Sequence, residues 1–198
     1  MKVEEAYQRY LVEVEKNATN DNVANSRDLF CIIFNKYQNK FLAMALQQRG
    51  VDDVRWVQKF LILDKKLTHT SKSTDHYNFT LPKDYFDLAD VRAKAEKNKC
   101  KDFIKLVEIQ TENLNELITD EFNKPSFEWR ETLYTLNSNQ LSIYVDDFSI
   151  SEILLNYYRY PNQIKVLNET KFDENLPIEW DDKALNEILN LTTITKNN

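Results

Sequence analysis

One glycine, Gly50, has to serve all 198 residues of this chain, where average usage of about 7% would supply roughly 14. Loops that cradle phosphate need glycine so that backbone N–H groups can close on the anion, so nucleotide-binding loops of that kind are excluded. Turns have to be built from other residues. Asparagine tolerates left-handed backbone better than most residues and is expected to take that role. Gly50 itself stands where a long apolar stretch stops, the place for a left-handed helix cap.

Apolar spacing predicts helices over residues 1–67. Val3, Ala6, Tyr7, Tyr10, Leu11 and Val14 form one stripe, broken by Asn17–Asn22. Phe30, Ile33, Phe34, Tyr37, Phe41, Met44 and Ala45 form a second. Its opening run, Leu29–Phe34, is apolar on nearly every side and predicts burial from several directions. Asp52 and Asp53 would cap a third helix carrying Trp56, Phe60, Leu63 and Leu67. Short loops between the three predict antiparallel neighbours.

Residues 68–176 read as the β-rich part of the same single domain. Thr68–Asp75 is polar and predicts an exposed connection, and Tyr77–Leu81 alternates as a strand does before Pro82. Residues 83–101 fit strand or helix, with the lysine-rich 94–101 segment as a surface turn. Lys105–Gln110 reads as a strand, and Leu114, Leu117, Ile118 and Phe122 as one face of a short inserted helix. Thr132, Tyr134 and Leu136, a turn at Ser138-Asn139, and then Leu141, Ile143 and Val145 predict a hairpin. Ile153, Leu155, Tyr157 and Arg159 line a further strand that Pro161 ends. Pro177 would open a C-terminal helix over 177–198 with Trp180, Ala184, Ile188 and Leu191 on its apolar side and Thr192–Asn198 as a polar tail. The expected fold class is α+β: N-terminal antiparallel helices, a small antiparallel sheet with an inserted helix, and a C-terminal helix.

Groups able to do chemistry are few. His69 and His76 flank a polar loop with no further ligands at a metal-binding spacing. The pairs Asp52-Asp53, Asp146-Asp147 and Asp181-Asp182 are adjacent in sequence, which sends their side chains apart rather than into one space. Cys31 lies in the most apolar stretch, where a thiol stays protonated, and Cys100 lies among lysines with no partner base. Two isolated cysteines fit a reducing compartment rather than a disulfide framework. No catalytic residue, cofactor or metal is therefore expected. A net charge of −6 argues against a broad nucleic-acid grip. No apolar stretch is long enough to span a membrane, and the N-terminus lacks the apolar core of a signal peptide.

The one concentrated cluster is Tyr157-Tyr158-Arg159-Tyr160-Pro161. It reads as sheet core, as a protein interface or as a stacking surface for single-stranded nucleic acid. The interface reading selects Tyr158, Arg159 and Tyr160, together with Trp180, Ile188 and Leu191 on the last helix.

Leu81-Pro82-Lys83-Asp84-Tyr85, the short helix before a hairpin, the strand ending Tyr157–Pro161, and Leu176-Pro177-Ile178-Glu179-Trp180 occur in an order that resembles the head–tail connector, or adaptor, proteins of tailed double-stranded DNA bacteriophages, especially short-tailed ones. The glycine-poor, asparagine-rich composition is similar to that of structural proteins of crAss-like phages. The resemblance implies a non-enzymatic virion protein, assembled in the host cytoplasm and located at the head–tail junction. It implies a homo-oligomeric ring, usually dodecameric, with the portal protein on one side and the next tail or ring protein on the other. Double-stranded DNA would pass through its channel without sequence-specific binding. The lysine-rich 94–101 segment departs from the family pattern. Two other readings stand beside it. One is a regulatory or host-takeover module that binds a single protein partner. The other is a Mg²⁺-dependent hydrolase or nuclease, which requires several of Asp84, Asp87, Glu108, Asp146 and Asp147 to converge in one cleft.

Overall fold

Leu61–Arg159 folds as a sheet, and the residues on either side of it are mainly helical. The computed structural model describes residues 2–17, 26–48, 55–168 and 171–194. Its contacts divide the chain into two units, Leu61–Arg159 and Met1–Phe60 with Tyr160–Asn198. The fold is mixed α+β, as expected, but the sheet is large rather than small. The expected helix cap at Gly50, the Asp52-Asp53 pair, most of the Asn17–Asn22 break and the last four residues of the tail lie outside the described residues.

The strands are β1 (Leu61–Leu67), β2 (His69–Lys72), β3 (His76–Thr80), β4 (Tyr85–Lys97), β5 (Cys100–Glu108), β6 (Glu131–Asn137), β7 (Gln140–Tyr144) and β8 (Ser149–Arg159). They lie side by side in the order β1-β8-β4-β5-β6-β7-β3-β2. All pairings are antiparallel except β5 with β6, which is parallel. A parallel pair needs a crossover, and this one carries a 3₁₀ turn (Thr111–Asn113) and α3 (Leu114–Thr119). Although β1 and β2 are the two edges, only Thr68 separates them. Leu67 and His69 therefore lie within about 7 Å of each other, so the sheet curls until its edges meet. Alternate side chains then point into one enclosed core, which includes Phe79, Ala93, Ile104, Ile143, Ile153 and Leu155.

β-Bulges explain where the sequence pattern misled. Ile62 and Leu67 both pack on that core although they stand five positions apart, an odd spacing that a period of two forbids. A register shift between Ile62 and Lys65 supplies the extra residue. Asp64 sits there with φ of 50°, and its N–H donates to Asn156 Oδ1 at 2.7 Å. The side chain thus replaces the missing ladder partner. The expected third helix therefore ends at Phe60, after a 3₁₀ turn, and Leu63 and Leu67 belong to a strand. In β4, Tyr85, Leu88 and Val91 recur every three residues like a helix face because register shifts fall between Tyr85 and Asp87 and between Leu88 and Asp90. The segment left open between strand and helix is a strand of 13 residues. The lysine-rich turn shrinks to Asn98-Lys99. Thr68–Asp75, expected as an exposed connection, is exposed but contains β2. Phe122, expected on the inserted helix, lies beyond its end.

Among the described residues, five non-glycine residues take positive φ: Asp64, Asn98, Lys99, Arg130 and Ser138. Asparagine supplies only one of them. In the two-residue β4–β5 turn, both Asn98 and Lys99 are left-handed, at 50° and 68°. Lysine pays a Cβ clash there that glycine does not, so Lys99→Gly should stabilise the protein by about 0.5–1 kcal/mol. Urea denaturation measures this, and an unchanged or lower midpoint would contradict it.

The helical unit contains α1 (Val3–Asn17), α2 (Arg27–Gln48), the short hairpin β9 (Val166–Asn168) with β10 (Lys171–Phe172), and α4 (Asp182–Ile194). α1 and α2 are not the expected antiparallel pair. Glu4 pairs with Arg27 at 3.1 Å, and the rings of Tyr7 and Tyr10 lie 5.3 and 5.1 Å from Phe30. First turn meets first turn, whereas an antiparallel hairpin sets the last turn of one helix against the first of the next. Helix α4 packs against both. It starts later than Pro177 predicts, because Asp181 is its cap: Asp181 Oδ1 accepts from the Ala184 N–H at 2.8 Å. It also runs on to Ile194, so the tail expected from Thr192 begins inside the helix, with Thr192 buried.

Two amides on α2 anchor the coil after β8. Asn35 Nδ2 donates to the Ile164 carbonyl at 2.9 Å, while Asn35 Oδ1 accepts from the Ile164 N–H at 3.0 Å. One turn on, Gln38 Nε2 donates to the Asn162 carbonyl at 3.1 Å, and its Oε1 accepts from Trp180 Nε1 at 3.1 Å. Gln38 is buried and Asn35 half-buried, and amides so placed in an apolar helix are tolerated only when so fully bonded.

Candidate protein-interaction surfaces

The structure sorts the six expected interface residues into two groups. Trp180 and Ile188 are buried in the helical unit, where Trp180 packs on Phe41 and Phe60 with ring centroids 5.3 and 4.7 Å away. They hold that unit together instead of facing a partner. Their apolar spacing identified a buried stripe, and a stripe fits core as well as interface. Tyr158, Arg159 and Leu191 are half-buried and Tyr160 is exposed. Within the cluster Tyr157 faces the core, so strand alternation holds through this segment.

Tyrosines and acids gather at the end of the sheet where β4 begins and β5 ends. The Tyr157 hydroxyl donates to Asp84 Oδ1 at 3.0 Å, and that of Tyr134 donates to Glu108 Oε2 at 3.2 Å. Tyr85 stacks on Tyr157 at 5.9 Å, with Asp87 and Glu108 near enough to act on its phenol. Asp147, in contrast, pairs with Lys97 at the β4–β5 turn, beside Glu128, and Asp146 pairs with Lys124 at 3.3 Å. Glu108 is eight residues from the start of β5, roughly 26 Å along an extended strand. The five carboxylates proposed for metal chemistry therefore do not share one cleft. His76 Nδ1 meets Asp75 at 2.8 Å, and His69 lies edge-on to Tyr77 at 5.7 Å. Among the described residues, no three His, Cys, Asp or Glu side chains are placed to hold a metal ion.

Burial raises the Cys31 thiol from its ordinary 9 to about 11, helped by nearby Asp28. Burial is also the larger cause at Tyr85 and Tyr157, raised from 10 to about 12, with Asp87 and Glu108 adding at the first and the bond to Asp84 at the second. These are acids whose folded form keeps the proton longer, so their contribution to stability is complete below the unfolded values and is lost as pH rises through the folded ones. Stability should fall between pH 9 and 12 on their account. At pH 8 a thiol reagent should label exposed Cys100 alone in the folded protein and Cys31 only after unfolding. Mass spectrometry of labelled peptides checks this, and fast labelling of Cys31 under native conditions would contradict it.

The surfaces that stand out are apolar and were missed by periodicity. Phe122 is 81% exposed and Trp129 73%, both on the β5–β6 crossover. In the helical unit Ile32 on α2 is 67% exposed and Leu167 on β9 70%. The run Leu29–Phe34 is thus not buried all round. A signal for the aromatics was present, since Phe122 follows Asp120-Glu121 and Trp129 stands between Glu128 and Arg130. An aromatic set among charges has no apolar neighbours in sequence to share a core with. No protein-family model matches the chain, and no curated protein matches it by sequence. No described helix is long and apolar enough to cross a membrane.

Proposed function

We propose that this protein is a non-catalytic structural adaptor: one subunit of a ring at the head–tail junction of a tailed phage, docked on the portal and extending the channel for DNA. The observation that carries this reading is that each unit bears its own large exposed apolar side chains, Ile32 and Leu167 in one and Phe122 and Trp129 in the other. A two-fold dimer needs one self-complementary patch, whereas a closed ring needs two different patches on every subunit. Large aromatic side chains are the usual anchors of such contacts. The resemblance of the Leu81–Tyr85, Tyr157–Pro161 and Leu176–Trp180 segments to connector proteins supports the location, and a net charge of −6 suits a channel wall that lets DNA slide.

Co-sedimentation with the portal protein encoded by the same genome tests the proposal. The wild-type chain should travel with portal rings, and Phe122→Ser with Trp129→Ser should lose that association while keeping the wild-type circular dichroism spectrum. Failure of the wild-type chain to travel with the portal would count against the adaptor reading.

A further inference from the structure

Charge is segregated on two exposed helical faces. From residue 29 to 51 the sequence has no acid, and from 106 to 123 no base. On α2 the first run presents Ile32, Lys36 and Lys40, all exposed and four residues apart, so they lie on one side of the helix. Both lysine ammonium groups lie 5.8 Å from the Tyr37 ring centre. Asp28 stands one turn before Ile32, at the margin of this basic stripe. The second run presents Glu112 and Glu116, also four apart and exposed, followed by exposed Glu121 and Phe122. Asp120 is engaged locally, accepting from the Phe122 N–H at 3.0 Å and from Asn123 Nδ2. Lys124, the first base after the run, is already paired with Asp146.

The two faces complement each other in three respects. One is basic and the other acidic. In each pair the charges are four residues apart, roughly 6 Å of rise along α2 and about 7 Å where the 3₁₀ turn carries Glu112. Each also carries one protruding apolar side chain, Ile32 on the first and Phe122 on the second. Neither face suits self-pairing across a two-fold axis, which would set each stripe against its own sign, an arrangement that costs several kcal/mol. We propose that the α2 face of one copy docks on the β5–β6 crossover of the next, with Ile32 against Phe122 and Lys36 and Lys40 facing Glu112 and Glu116. This contact deepens the ring reading and rests on it, because it repeats head to tail.

Charge reversal tests it. All four positions are exposed, so Lys36→Glu with Lys40→Glu, and separately Glu112→Lys with Glu116→Lys, should leave the fold intact. Each pair of substitutions should weaken association between copies, free or on the portal, by at least about tenfold. An equimolar mixture of the two variants should restore it, because each basic face again meets an acidic one. Unweakened variants, or a mixture that stays dissociated, would overturn the contact. Uptake of those variants by the portal at wild-type stoichiometry would reject the contact and leave the ring reading standing. A second arm does not depend on how tightly free copies bind. In a Cys100→Ser background, Ile32→Cys mixed with Phe122→Cys should give mixed disulfide dimers in clear excess over homodimers on mild oxidation. An excess of homodimers, or no cross-link, would overturn it.

Discussion

Trp180→Ala should destabilise the helical unit by about 3–5 kcal/mol, the range for removing a large buried aromatic. The side chain packs on Phe41 and Phe60, which would fill the space it leaves only in part. It also donates the hydrogen bond that satisfies Gln38 Oε1 at 3.1 Å. Gln38 would keep its bond to the Asn162 carbonyl but leave a buried acceptor without that partner, adding about 1–3 kcal/mol within that total. Trp180→Phe separates the two causes, since it retains most of the packing and loses only the indole N–H. Guanidinium denaturation followed by circular dichroism should order the midpoints wild type, Trp180→Phe, Trp180→Ala. A Trp180→Ala variant within about 1 kcal/mol of wild type would mean the indole is not part of this core.

Leu155→Ala should cost about 3–4 kcal/mol through the sheet core. Leu155 is fully buried at the middle of β8, the strand that pairs with both β1 and β4. Its register partners are Lys65 on one side and Val91 on the other, so the cavity opens beside two strand pairs at once. Native-state hydrogen exchange should show faster exchange for amides of β1, β4 and β8, and a smaller change in β2 and β3. Uniform loss of protection across the chain would indicate instead that the two units unfold as one.

Strand alternation made β6, β7 and most of β8 legible, down to the Ser138-Asn139 turn, because those strands keep their registers. β1 and β4 were obscured for a definable reason: each bulge inserts one residue, converting a period of two locally into three or five. Pairing partners far along the chain decide where a bulge falls, and periodicity within one segment does not contain them. The last helix shows a similar competition. Pro177 is suited to a first helical turn, yet Asp181 caps the helix with its carboxylate, and the intervening Ile178 and Trp180 turn inward to fill the core. At the surface, residue type alone did not separate interface from core. Trp180 and Ile188 are as apolar as Phe122 and Ile32, and only the packing shows which pair remains exposed. The roles of Asn35 and Gln38 were likewise hidden, since a polar residue in an apolar helix signals a buried bond without naming the distant carbonyl it will meet.

Native mass spectrometry of the protein mixed with the portal protein of the same genome tests the central claim most directly. The adaptor reading predicts portal complexes that take up a fixed number of copies set by the portal's rotational symmetry, with few partly filled intermediates. A folded protein that stays monomeric or dimeric beside unoccupied portal rings would contradict it and point instead to a single soluble partner.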